Sequence, residues 1–232
     1  MIRLVALAAL LAQPAAPAPT WTPLSEKDGL RISRDTSRPE PTYRAEGTVN
    51  ANLFEVMAVL SDIAKRPQWV RNLSESKIVS GDVEHRVVIY ERYHLPWPCE
   101  DRDSVVESTI HVDLAKLEVT VSYHQVQSPL APVRPGVVRM PVVRGLMRFR
   151  YLDATHASAQ VILGLDVGGS LPGAAVRHFV SEGPVMTLHG LVKQVKATRG
   201  QYADFIRGHA AQARTQSKIP FEIDAAAVPA HP

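Results

Sequence analysis

The middle of the chain carries the pattern that most constrains its fold, a long succession of period-two segments. From His85 to Asp166 apolar and polar residues alternate repeatedly, and no helical periodicity intervenes. Such alternation is typical of β-strands with one buried face. Consecutive strands without crossover helices pair antiparallel, because parallel neighbours need connections of about a dozen residues or more. The pattern predicts an antiparallel sheet with strands at residues 85–94, 104–111, 118–126, 137–151 and 157–166.

Shorter elements precede this run. Apolar positions at three- and four-residue steps predict a helix over residues 53–60, for which Asn50 or Asn52 is the predicted cap. A second short helix should end at Arg66, because Pro67 disfavours helical backbone in the residue before it. Two short strands are predicted ahead of these helices, at residues 29–33 and 43–49.

One long helix is predicted after the sheet. An apolar stripe persists at helical spacing from Pro172 to Ile206, with Ser170 as the predicted cap. Gly183-Pro184 interrupts the stripe, and a proline inside a helix removes a backbone hydrogen bond, so a kink or break is expected there. That kink is either a hinge about which residues 172–182 swing or a passive bend that follows the sheet. The sheet can curl around this helix and leave a cavity, which gives an α+β fold.

The two ends of the chain differ from its centre. Residues 1–19 combine an early positive charge, an apolar run and a proline-rich stretch of small residues, which is the layout of a secretory signal peptide. The apolar run is shorter than the roughly 20 residues of a membrane-spanning helix. The alternative is an apolar N-terminal helix of the domain. We expect a periplasmic or secreted protein with one domain over residues 21–209 and a flexible tail over residues 210–232, whose composition is rich in Ala, Gln and Pro.

Composition disfavours several kinds of site. With 26 Lys and Arg against 23 Asp and Glu, the net charge is only +3, which gives no support to a nucleic-acid partner. The single cysteine, Cys99, cannot form an internal disulfide or complete a cysteine-based zinc site. The nine histidines show no metal-binding spacing, and the chain has neither a dinucleotide-binding glycine motif nor a Walker loop. We predict no metal, no cofactor and no catalytic residue, and a monomer.

The stretch from Leu95 to Asp103, Leu-Pro-Trp-Pro-Cys-Glu-Asp-Arg-Asp, is the most unusual in the chain. Its two prolines fix the backbone, and Trp97 is predicted to anchor it in apolar surroundings. Asp101 and Asp103 flank Arg102 with acceptors suited to hydrogen bonds and an ion pair. We interpret the stretch as a rigid connection between two strands. The alternative interpretation is the wall of a pocket.

Several motifs together resemble the START domain, the steroidogenic-acute-regulatory-related lipid-transfer module of the Bet v 1-like group. The motifs are Pro-Trp-Pro and Asp-Arg-Asp before a strand, Val138-Arg139-Met140-Pro141, Arg144-Gly145-Leu146-Met147-Arg148-Phe149, and Gly168-Gly169-Ser170-Leu171-Pro172 at the start of the last helix. They span the chain from about Trp21 to Ile206. The resemblance implies a helix-grip fold, in which a curved antiparallel sheet wraps around the long C-terminal helix and encloses a hydrophobic cavity.

By this resemblance, the protein binds one lipid or other hydrophobic molecule and shields it during transfer between membranes, with transient contact to a membrane surface. A buried lipid chain gains about 0.8 kcal/mol per methylene. Cholesterol-binding members carry a buried arginine on the strand after the Asp-Arg-Asp turn, whereas residues 104–110 contain none. The candidate cavity-lining residues, each of which is as compatible with ordinary core, are Val105, Thr109, Val121, Tyr123, Met147, Phe149, Val161, Leu163, Phe179 and Met186.

Two other functions stay open at this stage. Bet v 1-like cavities also host enzymes of the aromatase/cyclase or hydrolase kind, and such an enzyme needs titratable groups inside the cavity. The other alternative is a protein-binding module of an envelope complex. The strand-borne candidates for catalysis are Glu91, Glu107, His111 and His124.

A proline-rich loop over residues 126–136 interrupts the sheet and cannot join its hydrogen-bond ladder. The resemblance implies that this loop covers the mouth of the cavity beside the last helix. Leu130 and Val133 should then face an apolar surface or a membrane.

Overall fold

The computed structural model describes residues 18–169, 171 and 173–228, apart from the side chains of residues 173–179. Most of the predicted signal peptide therefore lies outside the described part of the chain. The same holds for Ser170 and Pro172, at the predicted start of the last helix.

Within the described residues, ten strands form one sheet. Their bounds are β1 Trp21–Lys27, β2 Leu30–Asp35, β3 Thr42–Val49, β4 Leu73–Gly81, β5 Val87–Tyr93, β6 Asp101–Asp113, β7 Glu118–Gln125, β8 Val137–Arg139, β9 Val142–Tyr151 and β10 Ala157–Asp166. The spatial order is β1-β2-β3-β10-β9-β7-β6-β5-β4, and every neighbouring pair is antiparallel. The short β8 lies beside the start of β6 and runs parallel to it. The antiparallel sheet predicted from the alternation is confirmed.

Helices cover one side of this sheet. Their bounds are α1 Leu53–Ser61, a 3-10 helix Ile63–Gln68, α2 Gly173–Ala197 and α3 Ala203–Gln216. The side-chain oxygen of Asn52 accepts a hydrogen bond of 2.9 Å from the backbone N–H of Phe54, so Asn52 is the cap of α1. All residues of α1 except Ser61 are buried, because the helix contacts β7, β9, α2 and α3.

Two details of the predicted strands and one of the predicted short helices are wrong or incomplete. The predicted strand over residues 137–151 is divided by Pro141 into β8 and β9, since proline cannot donate to a ladder. β1 and β4 were not predicted, because their residues are mostly exposed and polar and show little alternation. The 3-10 helix continues through Pro67 to Gln68 instead of ending at Arg66.

The C-terminal helices also differ from the prediction. α2 runs through Pro184 without a break and ends at Ala197, and a turn precedes the separate helix α3. The prediction of a flexible tail from residue 210 is wrong for residues 210–228. Ala210 and Ala213 of α3 are completely buried, and the ring of Phe221 lies 5.3 Å from that of Phe54. Small alanine side chains let α3 approach α1 closely, so an Ala-rich composition here reflects packing.

The space between the sheet and the helices divides into two halves. We call one the filled half, because α1, α3 and the C-terminal part of α2 pack there against β7, β9 and β10 in one continuous apolar cluster. Phe54, Phe149 and Leu188 have no exposed surface in that cluster. The other half lies beside residues 182–187, in the middle of α2, and is described below. None of the described helices is long and apolar enough to cross a bilayer.

Candidate ligand cavity

A cavity of about 370 Å³ lies between the sheet and α2, next to the filled half. One of its walls is apolar and comes from β9, β10, the residues that flank them, and α2. Gly183 of α2 stands so close to this wall that a Cβ there would come within 2.7 Å of the Leu163 side chain. The glycine therefore permits close packing of α2 on β10. Apolar lining residues of this wall include Met140, Val143, Met147, Leu163, Leu165 and Met186.

The opposite wall is polar and comes from the 3-10 helix, β5 and the start of β6. Arg66 on the 3-10 helix places its Nε 2.8 Å from an oxygen of Glu91 on β5. Both side chains are largely buried, with 12% and 3% exposed, respectively. A buried charge is tolerated in such a place when an opposite charge accompanies it. The two residues form an ion pair inside an otherwise apolar space.

Two tyrosines extend this polar wall. The hydroxyl of Tyr93 donates a hydrogen bond of 2.8 Å to the second oxygen of Glu91. Burial, reinforced by the negative charge of Glu91, raises the pKa of Tyr93 well above its ordinary value. Burial likewise raises the pKa of Tyr123 to about 12. Both phenols are therefore neutral at physiological pH and can donate hydrogen bonds, and Tyr123 makes none to the described residues.

Arg102 completes the polar wall at the start of β6. It is 3% exposed and donates hydrogen bonds to three backbone carbonyls, those of Glu100, Val167 and Gly168. These bonds fix the connection between β10 and α2 to the edge of the cavity. Arg102 thus has the structural role predicted for it, and it also lines the cavity.

The two flanking aspartates do not pair with Arg102. The fully buried carboxylate of Asp103 accepts bonds from Arg139 of β8, at 2.6 and 3.2 Å. Asp101 pairs with Arg92 on β5 at 2.7 Å. Side chains of adjacent residues in a strand point to opposite faces, so Arg102 faces inward while both aspartates face outward. The predicted ion pair within Asp-Arg-Asp is wrong for this reason.

The mouth of the cavity is bordered by the loop before β6 and by the connection to α2. Leu95, Pro96 and Cys99 line it from the first side, and Leu171 from the second. Trp97, at the tip of the same loop, is 92% exposed. The prediction that Trp97 anchors the loop in apolar surroundings is therefore wrong. The prolines hold the loop so that the indole ring projects into solvent.

Four of the ten candidate lining residues meet at the cavity, namely Tyr123, Met147, Leu163 and Met186. Val121, Phe149 and Val161 also point inward, but they belong to the filled half, where helices cover them. The side chain of Phe179 lies outside the described part of the structure. Inward alternation on β7, β9 and β10 was therefore predicted correctly, but alternation cannot tell which half of the interior a residue occupies.

Val105 and Thr109 lie on the wrong face of β6. Arg102 and Val106 point inward, so residues of the opposite parity point outward. Val105 packs against Tyr90 and Ala131 in a small cluster on the outer face, and Thr109 is exposed. Both faces of β6 carry apolar residues because the loop after β7 covers its outer face. The sequence therefore offered no clear choice of face.

The loop over residues 126–136, all of which are described, contributes nothing to the cavity lining. Ala131 packs on the outer face of the sheet, and Arg139 donates a hydrogen bond of 3.1 Å to its carbonyl. The expectation that this loop covers the mouth is corrected accordingly. Leu130 and Val133 are 69% and 64% exposed, as expected for residues that face outward.

Of the four strand-borne candidates for catalysis, only Glu91 reaches the cavity. Glu107 lies 3.6 Å from Arg86, and both His111 and His124 are exposed. Sequence reasoning missed Arg66, the partner of Glu91. A charged residue before a proline in a short helix resembles many solvent-exposed residues, so its position carried no signal of burial.

Comparison with known proteins agrees with this architecture. The family model of the START domain matches residues 2–200 of the chain. The uncharacterized protein PA1579 of Pseudomonas aeruginosa is 25% identical over 175 residues, which is 74% of this chain and 84% of that protein. The match to the family model ends before α3, so α3 and the segment after it lie beyond the region that the family model covers.

Solved structures share the fold. A STAR-related lipid transfer protein from Xanthomonas axonopodis (fragment 25–204) superimposes with a TM-score of 0.65 at 24% identity, covering 76% of this chain and 98% of that one. Human StAR-related lipid transfer protein 5 gives a TM-score of 0.66 at 23% identity, covering 76% of this chain and 86% of that one. The predicted helix-grip α+β fold is confirmed, and the chain belongs to the START domain family.

Proposed function

We propose that the protein binds one lipid or other amphipathic molecule in the cavity and carries it between membranes. The observation that carries the proposal is the combination of an apolar wall and a buried polar wall around about 370 Å³ of space in a START domain. Each methylene that leaves water for such a cavity contributes about 0.8 kcal/mol. The polar wall then orients the ligand, because buried donors and acceptors left without partners are costly.

One end of the sheet, which carries the loops before β6 and β8, supports contact with a membrane. β6 and β8 begin side by side in parallel, so the loops that precede them leave the sheet at the same end. These loops carry Trp97, Leu130 and Val133, whose side chains are largely exposed. An exposed tryptophan suits the interface between lipid headgroups and acyl chains. The proposed route for the ligand passes between the Trp97 loop and Leu171.

The location of the protein is part of the same proposal. The N-terminal pattern of residues 1–19 supports export through a signal peptide to the periplasm or the exterior. N-terminal sequencing of protein recovered from its own host should find a mature chain starting between about Ala16 and Trp21. An intact Met1 on protein from a cytosolic fraction would refute export.

Blocking the cavity tests the proposed binding. Leu163→Trp introduces a bulky ring at the apolar wall, and we expect loss of binding of a fluorescent fatty-acyl probe while the fold is retained. Leu24→Trp on the exposed edge strand β1 is the matched control and should bind as wild type does, because Leu24 is 53% exposed and does not line the cavity. Equal binding by wild type and Leu163→Trp would show that the ligand occupies another place.

Transfer is tested separately from binding. Trp97→Ala should slow movement of the probe between donor and acceptor vesicles and leave its equilibrium affinity unchanged, because Trp97 does not line the cavity. Native mass spectrometry of protein from its own host separates the alternatives. A stoichiometric lipid supports transfer, whereas a chemically altered ligand supports an enzyme, and a clean apo mass supports a protein-binding module.

A further inference from the structure

The charged side chains around the cavity do not balance. Arg66 is offset by Glu91 at 2.8 Å, and Glu182 is offset by Lys27 at 3.0 Å. Arg102 has no carboxylate within 4.0 Å among the described residues. The residues outside the described part contain neither Asp nor Glu, so no acidic side chain there can supply the missing charge. Arg71 also lines the cavity without a carboxylate within 4.0 Å, but its side chain is exposed to solvent. The uncompensated positive charge that is buried is therefore that of Arg102.

The guanidinium of Arg102 keeps hydrogen-bonding capacity. It has five N–H groups, and three carbonyls accept one each, through Nε at 3.1 Å, Nη1 at 2.6 Å and Nη2 at 3.1 Å. One N–H on each terminal nitrogen is left. A Cβ at position 169 would stand 3.1 Å from Nη2. Because residue 169 is glycine, no side chain of that residue covers this nitrogen. Carbonyl dipoles lower the cost of the buried charge but do not cancel it.

We infer that the ligand is a single-chain amphiphile with one negative charge, whose anionic group accepts hydrogen bonds from Nη1 and Nη2 of Arg102. This inference rests on the proposed function. A planar carboxylate matches the fork of a guanidinium, and charge-assisted bonds of this kind are the strong ones. A cavity of about 370 Å³ has room for one chain of medium length. The chain lies along the apolar wall.

The test compares laurate with dodecanol, which has the same chain and no charge. Isothermal titration calorimetry at neutral pH and low salt should give an affinity for laurate about tenfold or more above that for dodecanol. Equal affinities, or tighter binding of the alcohol, would overturn the inference and leave the proposed function standing. If neither molecule binds while longer or larger lipids also fail, the proposed function itself fails.

Variants assign the charge to Arg102. Arg102→Gln should weaken laurate binding by about tenfold and leave the affinity for dodecanol unchanged. Arg92→Gln is the matched control: Arg92 lies on the outer face of β5 beside Asp101, so its loss should leave both affinities unchanged. A similar loss of laurate binding in both variants would indicate a general effect of net charge and contradict the assignment.

A second measurement uses only the wild-type protein. This is useful because Arg102 also binds the backbone of residues 167–168, so its substitution can disturb the fold. Carbon NMR of carboxyl-labelled laurate bound to the wild-type protein follows the ionisation of the carboxyl group directly. Contact with Arg102 should keep the bound carboxylate ionised to a lower pH than that of laurate in dilute solution. Titration at the same or a higher pH would place the carboxyl group away from Arg102 and overturn the inference.

Discussion

Single glycines of the helices show how closely the elements approach one another. At Gly190 of α2 a Cβ would stand 2.0 Å from the backbone oxygen of Trp69, whereas at Gly208 of α3 nothing lies within 4 Å. Gly190→Ala should therefore destabilise the protein by about 1–3 kcal/mol or more, because backbone must move. Gly208→Ala should stabilise it by about 0.5–1 kcal/mol through helix propensity. Urea unfolding of both variants measures the two changes, and a stabilising Gly190→Ala would contradict the packing described here.

The role of a single residue could be predicted where it depends on its neighbours in the sequence. Asn52 was one of two predicted caps, because an amide before an apolar helical stripe has a specific local role. Arg102 was predicted to be structural, but its bonds to Val167 and Gly168 were not, because these partners lie 65 and 66 residues later in the chain. Val105 was placed on the wrong face, since a loop distant in sequence covers it. The sequence therefore predicted roles that depend on nearby residues, but it did not predict contacts between residues that are far apart in the chain.

Among the elements, α1 and the C-terminal segment meet at a buried carboxylate. Glu55 of α1 lies 3.6 Å from Arg199, which also binds Asp224 at 2.9 Å. Burial raises the pKa of Glu55, and the positive charge of Arg199 only partly offsets this effect. The native state therefore binds a proton more tightly than the unfolded chain does. Stability from this group is greatest below the unfolded pKa, near 4.5, and is lost as pH rises through the higher native pKa.

This linkage predicts the behaviour of Glu55→Gln. The free energy of unfolding of the wild-type protein, measured relative to that of the variant, should fall as pH rises from below about 4.5 toward neutrality. Urea titrations at a series of pH values measure the difference. Glu84→Gln on an exposed turn is the control for a change of charge alone. A difference between wild type and Glu55→Gln that does not vary with pH would contradict the assignment.

The elements that were predicted best combine alternation with clear limits. β10 was predicted at residues 157–166 and has those bounds, because turn residues precede it and glycines follow it. β4 was missed because its register shifts twice against β5 and breaks the period. α2 continues as one helix on both sides of Pro184, and Gly183 packs on Leu163. The helix is therefore not broken at this site, and the choice between a hinge and a passive bend stays a prediction. Contacts with neighbouring elements therefore determine the register of β4 and the path of α2.

At the scale of the whole molecule, stability and ligand binding reside in different halves. Phe149→Ala in the filled half should cost about 3–5 kcal/mol, because it removes a fully buried ring and leaves a void. Met186→Ala at the cavity should cost about 1 kcal/mol or less, since that side chain already borders open space. Urea unfolding should show the larger loss of stability in Phe149→Ala. Probe binding should show the larger loss of affinity in Met186→Ala. A large loss of stability in Met186→Ala would show that the two halves are not separable.

The fold as a whole was predictable because several motifs occur in the family order, and each helps to place the others. The candidate site was predictable only in part. Glu91 was noticed as a carboxylate on a strand, but its ion pair needs the 3-10 helix, which lies about 25 residues earlier and adopts its position only in the folded protein. The size of the cavity depends on how far α1 and α3 fill the interior, and residues 210–216 of α3 lie in the segment that was predicted to be flexible.

The division into a filled and a hollow half has an evolutionary consequence. In a close-packed core, the neighbours of a side chain limit its size and shape, so a substitution there usually requires compensating substitutions around it. Residues that border open space escape much of this constraint. A lineage with this architecture can accumulate substitutions at positions such as Met186 and acquire new cargo in few steps, while selection on folding acts on a separate set of positions. Diversity of ligands among such proteins then follows from their architecture and requires no exceptional tolerance of the fold to mutation.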